Sequence, residues 1–126
     1  MAIPSGSGTE VLKRTTIHGQ SNTATSFRWD GTMATTGTST YTVPANHIIT
    51  VISIIVCEQG GASETFSIFM NDGSRNIGLI QDNALSAYNS FVFNDKIILS
   101  GGDKLNVLAS AGDIDFICTY IDQDWS

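Results

Sequence analysis

The strongest pattern in the chain is a run of apolar and β-branched residues that begins after Pro44 and ends before Gln59. From Val43 it reads VPANHIITVISIIVCE, and β-branched side chains favour the pleated backbone of a strand over a helix. Two faces alternate, and each is largely apolar: Ile49, Val51, Ser53, Ile55, Cys57 on one, and Ile48, Thr50, Ile52, Ile54, Val56 on the other. The pattern predicts a long strand over 45–58 that is buried on both sides or pairs with another subunit.

Shorter segments with a period of two residues lie on both sides of this strand, separated by turns rich in Gly, Asp and Asn. The predicted strands cover 26–29, 39–43, 64–71, 75–81, 88–99 with a break near Asn94, 104–110 and 114–121. Residues 9–17 fit either an arm or an edge strand, 30–38 a long exposed loop, and 82–87 a connection with at most one helical turn. No segment of ten residues has a helical period. The predicted fold class is all-β: an antiparallel β-sandwich, jelly-roll-like, with an extended N-terminal arm.

The predicted domain organisation is a flexible or extended arm over residues 1–17 and one β-sandwich domain over residues 18–126. The first eight residues, MAIPSGSG, are small and offer little apolar surface. The arm's candidate contact residues are Val11, Leu12 and Ile17 for apolar contacts, with Lys13 and Arg14 for an acidic neighbour. We therefore expect this arm to lie against another polypeptide rather than against its own core.

Composition supports a protein that makes contacts. Charged residues are 14% of the chain, against about 25% in ordinary globular domains, and the cores of interfaces are depleted of charge. The net charge of −6 argues against a nucleic-acid partner, which would require a basic stripe. No apolar run reaches the length of about 18 residues that a membrane span needs, so no membrane partner is expected either.

The candidate chemistry is sparse. Cys57 and Cys118 lie in apolar strand patterns, and no secretion signal precedes them, so both are expected to be reduced and buried. His18 and His47 lack partners at the spacing of a zinc site. We expect no enzymatic activity, no cofactor and no metal. The weaker alternative is calcium bound by the acidic turns at 71–74, 101–103 and 111–115, although backbone demands explain Asp and Gly in such turns.

Two tryptophans stand apart from the alternating aromatic residues. Trp29 lies beside the predicted loop and Trp125 beside the carboxyl terminus. Tryptophan is enriched in the energetically dominant parts of interfaces. Both residues are therefore candidate interface anchors, and with the polar Thr/Gly loop they also leave open a carbohydrate- or receptor-binding sandwich.

The order of these segments resembles a known group of proteins. The strand VPANHIITVISIIVCE is followed by a strand ending in NDGS and then by KIILSGGDKLNVLASAGDIDFICTYID. Together they resemble small virion structural proteins of tailed bacteriophages over 41–122. The amino-terminal MAIPSGSGTEVLKRTTIHG resembles the extended arms of phage head and tail proteins. The shared GDxLxVxAS pattern describes hairpins and carries no catalytic or ligand residues.

The resemblance implies a capsid decoration or cement protein that binds and stabilises the head shell. Its partners would be the major capsid protein or other virion proteins, together with further copies of itself, and its location would be the virion, assembled in the host cytoplasm. A homo-oligomer is expected, with a trimer as the favoured order, because a long strand with two apolar faces leaves surface to cover. A tail, neck or fibre component remains the main alternative.

Overall fold

The computed structural model describes residues 9–19 and 21–125, and these residues form nine β-strands. In chain order the strands are β1 (Thr9–His18), β2 (Thr25–Ser26), β3 (His47–Glu58), β4 (Glu64–Asn71), β5 (Asn76–Leu85), β6 (Ser90–Phe93), β7 (Ile97–Ser100), β8 (Lys104–Ala109) and β9 (Ile114–Asp124). The described ranges contain no helix, and accordingly no helix that could cross a membrane was found in them.

The strands form two antiparallel sheets. The first has the order β1-β9-β3-β6, with β7 also paired to β3, and the second has the order β2-β8-β4-β5. When β6 and β7 are taken as one interrupted strand, this is the arrangement of a jelly roll, in which eight strands form two Greek keys across two sheets. The predicted fold class is confirmed, and the break near Asn94 falls between β6 and β7.

A β-bulge in the middle of β3 changes the faces that simple alternation assigns. Val51 pairs with Tyr120 and Ser53 pairs with Thr119, so Ile52 has no residue opposite it on β9. A bulged residue shifts the alternation by one position. Ile49 and Val51 point inward before the bulge, and Ile54 and Val56 point inward after it; all four have an exposed fraction of 0%. The prediction of two regular faces is therefore wrong beyond Ile52.

β1 corrects the expectation for the arm. It runs antiparallel to β9 of the same chain with an unbroken register from Thr9, opposite Asp124, to His18, opposite Asp115. Of the two readings, edge strand and arm, the edge strand is therefore the observed one for 9–17, and the expectation that these residues lie against another polypeptide instead of their own domain is wrong. Main-chain pairing with β9 satisfies the backbone groups along one side of β1. Residues 1–8 of the predicted arm lie outside the described residues.

Several element boundaries also differ from those predicted. The strand expected over 26–29 shortens to β2, and 39–43 forms no strand. The predicted connection 82–87 instead continues β5 as far as Leu85. Asp82 has a positive φ of 46° within this strand, and the register with β4 shifts on either side of Ile68. These irregularities hide the strand from a search for strict alternation.

The core lies between the sheets and is dominated by branched aliphatic and aromatic side chains. Phe66 of the second sheet meets Phe116 of the first, with ring centroids 6.2 Å apart. The long connection 27–46 packs over one side of this core, because Phe27 N donates to Leu105 O and Val43 N donates to Asp103 O. Cys57 and Cys118 are not joined by a disulfide, and Cys118 is buried as expected. The expectation of a buried thiol is wrong for Cys57, which lies half-buried on the outer side of β3.

Candidate interaction surface

The outer face of the first sheet carries two rows of side chains that cross its strands in register. One row is Leu12, Ile121, Thr50 and Ile98, and the other is Thr16, Ile117, Ile55 and Val92. The exposed fractions are 68% for Leu12, 60% for Ile98, 55% for Val92, and 39% for both Ile55 and Ile117. Single exposed apolar residues are ordinary, but aligned rows of them offer a partner two apolar stripes, here separated by the polar row of Arg14, Thr119 and Ser53.

The second sheet presents a different outer face. Asn106 is opposite both Ser26 of β2 and Phe69 of β4. The hydroxyl of Ser26 donates to Asn106 Oδ1 over 2.7 Å, and both side chains are buried. On the neighbouring row the Ser67 hydroxyl accepts a hydrogen bond from the main chain of Asp82 at 2.9 Å. These polar groups are satisfied within the chain, so they do not require a partner.

β1 is an outer strand of the first sheet, and only half of its free edge is covered. Thr16 O accepts a hydrogen bond from Ala34 N, and His18 O accepts one from the hydroxyl of Thr36. Residues of the same parity direct their main-chain groups to the same side of a strand. The N–H and C=O groups of Glu10, Leu12 and Arg14 therefore point to this edge, where no main-chain partner is found among the described residues.

The structure divides the predicted contact residues of β1. Val11, Leu12 and Arg14 are exposed. Lys13 instead turns inward, where its ammonium lies 2.9 Å from the carboxylate of Asp122. Asp122 is 3% exposed and also meets His47 Nδ1 at 2.7 Å. A paired, largely buried carboxylate holds its partners in place, so Lys13 fastens β1 to its own sheet and is not available to an acidic neighbour.

Ile17 and Trp29 are core residues, with exposed fractions of 1% and 4%. The indole of Trp29 packs edge-on against the ring of Tyr120 with a centroid distance of 5.0 Å. The Tyr120 hydroxyl in turn accepts a hydrogen bond from Gly31 N, which closes the loop over Trp29. Trp29 is therefore a packing residue rather than an exposed anchor. Trp125 is half-buried, and its main-chain N donates to Asn46 O.

Glu58 is the most completely buried acidic residue, with an exposed fraction of 0%. Its carboxylate accepts main-chain hydrogen bonds from Tyr88, Gly60 and Gly61 at 2.8–3.0 Å. The hydrogen bond from the Tyr88 main chain is the largest cause that lowers the pKa of Glu58, with those from the glycines adding to it against the effect of burial. Gly61 has a φ of +82°, a conformation that favours glycine. The carboxylate thus joins the turn after β3 to the loop before β6.

Glu64 and Asp113 place further carboxylates beside Glu58, all within 4.8 Å of one another. Burial raises the pKa of Glu64, and the charges of Glu58 and Asp113 raise it further. Two of the three turns suggested as alternative calcium sites have backbone partners: Asp72 Oδ1 accepts from the main chain of Ser74 and Arg75, both at 3.0 Å, and Asp103 Oδ2 accepts from Ser100 N at 2.9 Å. Local backbone geometry accounts for these two aspartates, whereas Asp113 of the third turn belongs to the carboxylate cluster.

The two histidines make hydrogen bonds across strands of the first sheet. His18 Nδ1 lies 2.5 Å from Asp115 Oδ1, and Gln59 donates to the other oxygen of the same carboxylate. His47 lies between Asp122 and Asp124, with Nε2 3.5 Å from Asp124 Oδ1. Each histidine joins neighbouring strands, which accounts for both without a zinc site.

Sequence reasoning missed the two apolar rows, although a signal was present. Ile117 and Ile121 occupy the alternate positions of β9 that polar residues take in a half-solvated strand. The rows only emerge once register brings β1, β9, β3, β6 and β7 side by side, and the bulge at Ile52 decides that Ile55 joins them.

Comparison with known proteins gives similarity of fold. No family model and no curated protein matches the chain. Among solved structures, a chain of the infectious bursal disease virus Gx strain has a TM-score of 0.53 and 14% identity, over 98% of this chain and 35% of that chain. The VP2 subviral particle of infectious bursal disease virus gives 0.46 and 15%, over 95% and 34%. A pentameric capsid protein isolated from metagenomic phage sequences gives 0.41 and 14%, over 91% and 61%. This chain thus spans less than two thirds of each of these viral chains.

Proposed function

We propose that this protein is a structural component of a virus particle, most specifically a phage capsid decoration or cement protein that binds the head shell. The observation that carries the proposal is the pair of apolar rows on the outer face of the first sheet. The jelly-roll fold, which it has in common with viral chains, supports a role in a particle. A structural role also fits a chain whose candidate site consists of exposed apolar side chains on one sheet face.

The size of the whole outer face of the first sheet suits such a contact. β9 has eleven residues, and at about 3.3 Å per residue and about 4.8 Å between four strands the face measures roughly 700 Å². A standard stable interface buries about 800 Å² on each partner. The outer face of the first sheet therefore supplies nearly the area that a stable attachment requires.

The carbohydrate-binding alternative loses one of its supports, since Trp29 is buried. A tail, neck or fibre position uses the same kind of surface, and the position on the particle distinguishes it from decoration of the head. The trimer expected from the sequence stays a prediction that sedimentation of the purified chain tests.

A reconstitution experiment tests the proposed function. Particles produced by a phage from which this gene has been deleted are mixed with purified protein and separated on a density gradient. We expect the wild-type protein to travel with the particles and the double variant Ile98→Asp, Ile117→Asp to remain unbound. The matched control is Ile77→Asp on the second sheet, because Ile77 and Ile117 are both 39% exposed.

Either of two results would reject the proposal: wild-type protein that does not travel with the particles, or a double variant that binds as well as Ile77→Asp. A reconstruction of the reconstituted particles then gives the position. Density on the head supports decoration, whereas density confined to the tail replaces it with the alternative.

A further inference from the structure

The outer strands of the two sheets differ in how well they are protected against pairing with another strand. β2 has two residues, β6 and β7 have four each, and β5 has shifts in its register with β4. Short strands and bulges are devices that prevent pairing between sheet edges. β1 has ten residues with an unbroken register. Its amino-terminal half is therefore the strand edge best suited to accept another strand.

The side chains at this edge are complementary to themselves. Glu10, Leu12 and Arg14 lie on one face of β1, with a negative and a positive charge on either side of Leu12. A twofold axis through Leu12 places Arg14 of one copy opposite Glu10 of the other, and the reverse. Among the described residues, Glu10 accepts only a 3.2 Å hydrogen bond from the Gln123 amide, and Arg14 has no ion-pair partner.

The main-chain hydrogen-bonding groups of β1 also fit a twofold axis through Leu12. The N–H and C=O groups of Glu10, Leu12 and Arg14 point to the free edge, as shown by the outward carbonyls of Thr16 and His18. In an antiparallel pair, two opposite residues of this parity exchange both hydrogen bonds. The pairing ends before Thr16, where the loop that contains Ala34 covers the edge.

We propose that two copies of this chain pair antiparallel through residues 10–14 of β1, with Leu12 opposite Leu12 and Arg14 opposite Glu10. The contact joins the two first sheets into one continuous sheet and extends the apolar outer face across both copies. An isologous contact closes at two copies, so it gives a dimer instead of the trimer expected from the sequence. It deepens the proposed function, on which its biological setting rests, by naming the partner at this edge.

The first test is sedimentation velocity of the full-length chain at micromolar concentrations, in which the wild type is expected to be a dimer. Leu12→Pro removes an N–H that points to the edge, and proline is tolerated at such positions of an edge strand. This variant should keep the wild-type circular dichroism and sediment as a monomer. Leu12→Thr retains the N–H and is the matched control, which should still dimerise.

The second test uses the charges and does not depend on tolerance of proline. Glu10→Arg and Arg14→Glu each place like charges opposite each other twice in a homodimer, and each should weaken dimerisation about tenfold. Mixing the two variants restores opposite charges at both positions, so the mixture should form heterodimers with nearly wild-type affinity. Low salt should enlarge the difference in dimer affinity between each charge variant alone and the mixture of the two.

Three results would overturn the pairing: a monomeric wild type, an equally dimeric Leu12→Pro, or a mixture of charge variants no tighter than either alone. All of these assays use the isolated chain, whereas the proposed function is tested on particles. A dimer that fails to bind particles rejects only the function. A monomer that binds particles rejects only the pairing.

Discussion

The outer faces of the two sheets contrast in how they meet solvent. The first exposes aligned aliphatic side chains such as Ile98 and Val92, whereas the second buries polar pairs such as Ser26 with Asn106. Polar groups that are already satisfied stabilise the chain and offer little to a partner. Apolar groups left in water contribute little to the fold and much to association. Polar residues that stabilise the chain and apolar residues that serve the proposed contact therefore lie on opposite outer faces.

The largest effect is expected from shifting β3 by one residue beyond the bulge that sorts these faces. Insertion of one alanine after Ile54 adds a residue that has no partner on β9, and a slip of one residue exchanges inward and outward side chains. Val56 and Glu58 would leave the core while Ile55 and Cys57 would enter it. We expect no cooperatively folded protein, measured by thermal unfolding and circular dichroism. Deletion of Ile52 is the control that should fold, because it removes the bulged residue and leaves Val56 and Glu58 facing inward; a folded insertion variant would show that this register does not set the faces.

A smaller loss is expected on the polar face. Asn106→Ala removes a buried hydrogen bond with Ser26 and should lower the free energy of unfolding by about 1–3 kcal/mol. Urea unfolding measures this difference. The comparison is Ile117→Thr on the other face, which should cost less than about 1 kcal/mol because the side chain is already partly in water. Equal losses from the two substitutions would contradict the contrast between the faces.

The environment of Glu64 leads us to expect that the stability of the chain depends on pH. Its pKa is raised above the ordinary 4.5 by burial and by nearby carboxylates. The stabilising contribution of Glu64 is complete at pH values below its pKa in the unfolded chain, and it is lost as the pH rises through its pKa in the folded chain. Glu64→Gln should therefore have a higher Tm than the wild type at neutral pH, with the difference disappearing below about pH 4.5. A Tm difference between Glu64→Gln and the wild type that grows as the pH falls would contradict a raised pKa for Glu64.

The pH dependence of stability that we expect from Glu58 has the opposite sign. Its pKa is lowered mainly by the main-chain hydrogen bond from Tyr88, so its contribution is lost as the pH falls through the folded pKa. Glu58→Gln should accordingly lower the Tm at neutral pH, because a neutral amide accepts the main-chain N–H groups less well than a carboxylate. The Tm difference from the wild type should narrow in acid. A variant as stable as the wild type at neutral pH would show that the Glu58 carboxylate does not stabilise the turn after β3 and the loop before β6.

The smallest effect concerns the most exposed positions of the first face. Ile98→Thr removes apolar surface from a side chain that is 60% exposed, and threonine suits a strand. The free energy of unfolding of the free chain should change by less than about 0.5 kcal/mol. Urea unfolding checks this value, and a loss comparable with that of Asn106→Ala would mean that Ile98 belongs to the fold.

The sequence predicted what depends on local pattern. Alternation and Gly-Asp turns identified β4 and β8 and the break between β6 and β7, because strands and tight turns are specified over a few residues. Prediction from the sequence failed where contacts between distant segments decide whether a side chain is buried or paired. Trp29 looked exposed because it lies outside the alternation, but the loop folds back and packs it on Tyr120. Lys13 looked available because its partner, Asp122, is 109 positions away in the chain.

The ion pair between Lys13 and Asp122 has a consequence for how the edge of β1 binds. Fixing the backbone of one residue costs about 1–2 kcal/mol in conformational entropy, and a tethered strand meets this cost when the domain folds. The edge is then already extended before any second strand arrives. Pre-organisation of this kind favours affinity because little ordering remains for the encounter. A short strand edge can therefore hold a partner that a loose arm of the same sequence would release.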